Sequence, residues 1–106
     1  MDVVNEQTTY IITADFTDQD GAATTPSSGS YRIDDITDGV ITEVKGDTAF
    51  IPTETSHDIE ITPNENALVN PENQMEYRLM TVRFTYGSAR QGAAEYRWCI
   101  KNMRGV

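Results

Sequence analysis

The sequence predicts an all-β sandwich of about seven antiparallel strands, with one short helical crossover near residues 63–69, in a single domain over residues 1–106. Three observations carry this. Apolar and polar residues alternate with a period of two in run after run, the mark of half-buried strands. Turn-forming residues separate the runs at short intervals, as in Asp18-Gln19-Asp20-Gly21, Asp38-Gly39, Gly46-Asp47 and Gly87-Ser88. A chain of 106 residues has the length of one domain and supports one modest core.

Residues 1–7 are expected as a flexible or edge segment. Residues 8–17 place Tyr10, Ile12, Ala14 and Phe16 on one face and Ile11, Thr13 and Asp15 on the other. After a turn-rich stretch, 30–36 sets Tyr31 and Ile33 opposite Arg32 and Asp34. Asp38-Gly39 reads as a tight turn into a strand at 40–44, because Gly accepts the positive φ of hairpin turns. Gly46-Asp47 reads as a further turn, and 48–53, which contains Pro52, as a short edge strand. Residues 57–62 bring His57, Ile59 and Ile61 to one side. Thr62-Pro63-Asn64-Glu65 matches a capping box with proline at the first helical position. Asn70-Pro71 ends that segment, since a residue before proline avoids the α region. Two long strands follow, at 76–86 and 93–102. Met80, Val82, Phe84 and Tyr86 share a face of the first, and Ala94, Tyr96, Trp98 and Ile100 a face of the second. Their short connection predicts an antiparallel hairpin. The expected core is Tyr10, Ile12, Phe16, Tyr31, Ile33, Ile59, Ile61, Met80, Val82, Phe84, Tyr96, Trp98 and Ile100. This order of elements suits an immunoglobulin-like or fibronectin-III-like sandwich; without a Cys…Trp…Cys pattern it is not an antibody-type domain.

Charge is segregated along the chain. Residues 1–75 hold 15 acids against Arg32 and Lys45; residues 76–106 hold Glu76 and Glu95 against Arg78, Arg83, Arg90, Arg97, Lys101 and Arg104. The net charge of −9 argues against nucleic acid, whose affinity comes from neutralised phosphates. No apolar run approaches the roughly 20 residues that span a bilayer. The first ten residues have neither a basic nor an apolar signal region, so synthesis in a cytoplasm is expected. On the outward faces of the last two strands, Arg83 and Thr85 would neighbour Glu95, Arg97 and Lys101, with Arg32 and Asp34 from strand 30–36 beside them. Arg32, Arg83, Arg97 and Lys101 are therefore the candidate protein-interface residues, since arginine pairs carboxylates through a planar fork. The plainer reading is a solvated ladder of cross-strand ion pairs.

No constellation supports catalysis, a metal or a cofactor. Asp15, Asp18 and Asp20 precede Gly21, but Phe16 and Ser27 stand where an EF-hand needs ligands. That leaves a turn capped by acids, or a looser calcium site between loops. Asp34 and Asp35 are adjacent on a strand and point to opposite faces, so they cannot work as a pair, and Asp38 belongs to a turn. His57 is a lone packed or surface histidine. Cys99, the single cysteine, is an ordinary strand position.

Several segments resemble small proteins encoded in the structural modules of tailed phages and prophages. They are Pro26-Ser27-Ser28 with Tyr31-Arg32-Ile33-Asp34-Asp35, Ile61-Thr62-Pro63-Asn64-Glu65-Asn66-Ala67, Arg78 with Thr81-Val82 and Tyr86-Gly87, and Glu95-Tyr96-Arg97 with Lys101-Asn102. The resemblance covers about residues 8–103. It departs in the 40–50 region, where only Phe50 supplies an aromatic. It implies an immunoglobulin-like, non-enzymatic virion component, a capsid decoration or a head–neck or tail accessory. Its partners would be capsid, connector or tail subunits, and self-association is compatible with the same role. The rival expectation is a free carbohydrate- or cell-surface-binding module, with or without calcium, which exposed aromatics on a loop tip or strand face would favour.

Overall fold

The computed structural model describes residues 1–103, so the sixth base of the C-terminal third, Arg104, lies outside the described residues. Seven strands are present: β1 (Asp2–Asn5), β2 (Tyr10–Asp15), β3 (Ser28–Asp35), β4 (Thr42–Phe50), β5 (Ser56–Ile61), β6 (Met75–Tyr86) and β7 (Arg90–Lys101). They form a five-stranded sheet in the order β1-β7-β6-β3-β4 and a two-stranded sheet of β2 and β5. Ile12, Ala14, Ile59 and Ile61 of the small sheet bury against Ile33, Met80, Val82, Trp98 and Ile100 of the large one, in a single core.

Four sequence expectations need correction. Not every strand is antiparallel: β1 lies parallel to β7, with Val3 beside Cys99, so the large sheet is mixed. The expected strands at 40–44 and 48–53 are one strand, β4. Tyr31 pairs with Thr48 and Ile33 with Lys45, so Gly46 and Asp47 together stand opposite Arg32. The Gly-Asp dipeptide is a β-bulge that bends the strand without reversing it. The hairpin loop is shorter than expected, because β7 already begins at Arg90 and pairs with Tyr86. Gly87, with φ +60, supplies the left-handed residue such a loop requires.

The fourth correction is the crossover, which is a turn and not a helix. The capping box forms as expected: the Thr62 amide donates to Glu65 Oε1 at 2.8 Å, and the Glu65 amide donates to Thr62 Oγ1 at 3.4 Å. A helix would next need the amides of Val69 and Asn70. Both donate instead to the Glu76 carboxylate, each at 2.8 Å. The carbonyls are diverted as well: Asn66 O accepts from the Gln7 amide, and Ala67 O from Arg78. Pro71 has no N–H to extend the ladder.

The Asp38-Gly39 turn forms with positive φ at both residues, 56° and 77°, closed by the Val40 amide donating to Thr37 O at 3.1 Å, inside a six-residue connection from β3 to β4. Glycine has a different task at 92. It pairs with Phe84, and a Cβ there would stand 2.3 Å from the Phe84 ring. That ring is held edge-on against Phe16 with centroids 5.0 Å apart. Gly92→Ala should therefore overpack the core and lower stability by about 1–3 kcal/mol in urea unfolding. An unchanged midpoint would mean that the ring moves freely.

Candidate functional site

Alternation along β6 divides the eleven residues after Met75 cleanly. Glu76, Arg78, Met80, Val82, Phe84 and Tyr86 point into the core, while Tyr77, Leu79, Thr81, Arg83 and Thr85 face outward. Register carries the division across the sheet: Leu79 pairs with Arg97 and Asp34, Thr81 with Glu95 and Arg32, and Arg83 with Ala93 and Ser30. The four candidate interface residues Arg32, Arg83, Arg97 and Lys101 thus fall on one outward face, on three different strands.

That face is not simply basic. Arg32 donates to both oxygens of Asp34, at 2.9 and 3.0 Å, and lies 3.6 Å from Glu43. Arg97 lies 3.1 Å from Glu95. Arg83 and Lys101 have no ion-pair partner among the described residues. The outward side of the small sheet carries the unmatched acids, with Asp15, Asp58 and Glu60 all exposed. The charge split of the sequence therefore becomes an acidic face against a face of mixed sign.

Across one end of the mixed face runs an apolar row. Val3 pairs with Cys99, and Cys99 with Tyr77. The Ile36 amide donates to Tyr77 O at 2.9 Å, which places Ile36 next in line. Beyond the Asp38-Gly39 turn comes Ile41. Val3 is 58%, Tyr77 41% and Ile41 74% exposed, whereas Cys99 between Val3 and Tyr77 is buried. At the other end, small side chains leave a shallow depression of ≈ 430 Å³ around Arg83, lined among others by Ser28, Ser30, Thr85, Gln91 and Ala93.

A buried ionic cluster holds the apolar end rigid from beneath. Arg78 has no exposed surface, and its Nη1 donates both to Asp35 Oδ1 and to Glu76 Oε1, the latter at 3.0 Å. Its Nη2 reaches Ala67 O at 2.7 Å. Glu76 also accepts from the Asn73 side chain at 2.9 Å, besides the Val69 and Asn70 amides. One carboxylate thus fastens the whole 62–74 connection to β6. Tyr77 stands between these two buried residues, and Thr37 Oγ1 accepts its amide proton at 3.0 Å while donating to Asp35 at 2.8 Å. The exposed ring therefore rises from backbone fixed on both sides, which lowers the ordering cost of any docking there.

Burial alone would raise the pKa of Glu76, but the hydrogen bonds from the Asn70 and Val69 amides, Asn73 and Arg78 outweigh it and hold the carboxyl below its usual range. A depressed folded pKa contributes stability that is fully present above the unfolded value, about 4.3, and is lost as the pH falls through the folded value. The stability gap between the protein and Glu76→Gln should therefore narrow as the pH drops from about 5 toward 3. Urea midpoints measured across that window check it, and a constant gap would contradict it.

The remaining candidates have local roles. Asp18 Oδ1 accepts from the Asp20 and Ala22 amides at 2.9 and 3.0 Å, which makes it the cap of the turn containing Gly21. Among the described residues, no three His, Cys, Asp or Glu side chains converge as metal ligands. Asp34 faces outward to Arg32 and Asp35 inward to Arg78, so the two carboxylates are separated by the sheet. His57 stacks on Phe50 with centroids 4.6 Å apart. The buried cluster itself escaped sequence reading. The one signal for it was Glu76 and Arg78 on the same face as Met80 and Val82, in a strand pattern otherwise apolar. Comparison with protein-family models, with curated proteins and with solved structures finds no match to this chain.

Proposed function

We propose that this chain is a non-enzymatic assembly module, an immunoglobulin-like domain that docks in a tailed-phage virion through the outward face of its five-stranded sheet. The fold part of the reading is supported by strand order. A β2-β5 pair facing a β7-β6-β3-β4 sheet, with β1 parallel on β7, corresponds to the B–E and G-F-C-C′ layers of an immunoglobulin-like sandwich. The virion part rests on the resemblance of residues 8–103 to phage structural-module proteins. The observation that carries docking is the composition of the outward face. Arg32 and Arg97 stand with matched acids, and Arg83 and Lys101 without an ion-pair partner among the described residues, beside an exposed apolar row on backbone fixed by the buried cluster. Arrays of such subunits add individually weak contacts through multivalency.

The test is whether the chain travels with particles. Virions banded by density from the organism that encodes it, probed with an antibody to the purified protein, should contain it in multiple copies. Its confinement to the particle-free lysate would overturn the virion reading.

A further inference from the structure

We propose that the outward face of the five-stranded sheet binds a second copy of itself, about a two-fold axis parallel to the strands. The inference shares this face with the docking reading and rests on that reading only for its setting in an assembly. Rotation about such an axis keeps each residue's level along the strands and exchanges the two flanks of β6. At one level the face reads Arg97, Leu79, Asp34, Glu43 across β7, β6, β3 and β4; at the next it reads Glu95, Thr81, Arg32. The order of sign is reversed between the two levels. The rotation therefore sets Arg97 over Asp34 of the second copy, with Glu43 one strand further out, and Glu95 over Arg32 of the second copy. Both levels become complementary at once, as an isologous interface requires.

The same rotation stacks the apolar row on itself. Tyr77 and Leu79 of β6 lie on the axis and meet their own counterparts, while Val3 and Cys99 pass over the flank that holds Ile36 and Ile41. The available area is adequate. The 45 residues of the five strands, at about 4.8 Å between strands and about 3.4 Å along them, give ~730 Å², close to the ~800 Å² each partner contributes to a standard stable interface. An unrelated acidic partner would leave Asp34, Glu43 and Glu95 facing like charge, which is why a second copy fits the face better.

Sedimentation velocity of the purified protein in about 0.15 M salt, where the −9 charge of each copy is screened beyond about 8 Å, reads the association directly. The protein should dimerise, and Arg97→Glu and Tyr77→Glu should each weaken the dimer by about tenfold or more. The charge exchange Arg97→Glu with Asp34→Arg should recover most of the loss. Glu60→Lys is the control, because Glu60 is exposed on the outward side of the small sheet, away from the face. Melting curves establish that each variant is folded. A chain that stays monomeric at millimolar concentration, or a dimer indifferent to Tyr77→Glu and Arg97→Glu, would overturn the inference. A monomer that still bands with particles overturns the dimer and leaves the docking reading standing; a dimer absent from particles does the converse.

Discussion

Arg78→Met should destabilise the fold by about 3–5 kcal/mol, read as a lower urea midpoint, although methionine fills much of the same space. The cost comes from what the substitution leaves behind. Asp35 and Glu76 are both buried, and Arg78 is the cation between them. Without it, one carboxylate must take up a proton or remain uncompensated in the core, and Ala67 O loses its donor. Glu76 keeps the Val69, Asn70 and Asn73 donors, so the 62–74 connection should stay attached while the Asp35 side loosens. The variant should accordingly regain part of its stability as the pH is lowered and a carboxyl protonates. A loss below about 1 kcal/mol would mean that the cluster is solvated and the pairing unimportant.

Trp98→Ala should cost about as much, about 3–5 kcal/mol, by a different route. The ring is wholly buried, 5.7 Å from Tyr10 between ring centroids. Its Nε1 donates to Asn66 Oδ1 at 3.0 Å, while Asn66 Nδ2 donates to Thr8 O at 2.8 Å. Trp98 therefore joins the core to the 62–74 connection and to the chain between β1 and β2. Trp98→Phe separates the two contributions. It keeps much of the apolar volume but strands Asn66 Oδ1, and should lose about 1–3 kcal/mol. Equal losses in the two variants would show that the hydrogen bond, and not the packing, is what the tryptophan supplies.

How much of this could be read in advance depends on the length scale of each feature. The core was legible because period-2 alternation is local. Each expected core residue is buried or packed against the core, and Val4, Ala14 and Tyr86 join them. The count of seven strands agrees through two compensating differences: the sequence pattern divides β4 into two strands and marks residues 1–7 only as a flexible or edge segment. A Gly-Asp dipeptide has the same sequence whether it turns or bulges, and only the Thr48 and Lys45 pairings distinguish the two. β1 has four residues, and its place is set by β7, far along the chain. The helix failed where local propensity met a tertiary competitor: the capping box formed, but Glu76 took the amides that would have continued it. The outward face was legible as a set of bases. Asp34 and Glu95 were legible with them, each two residues from its arginine on the same strand, but Glu43 was not, because its place beside Asp34 depends on the β3–β4 register.

Oxidative footprinting across a dilution series, with side-chain oxidation read by mass spectrometry, tests most directly whether the outward face of the five-stranded sheet is the working surface. Tyr77, Val3 and Ile41 should become protected as concentration rises, while Ile11, on the small sheet and as exposed as Val3 at 58%, should not change. Protection of Ile11 with Tyr77 unchanged would contradict the account, and no protection anywhere would overturn the dimer while leaving docking to particles standing.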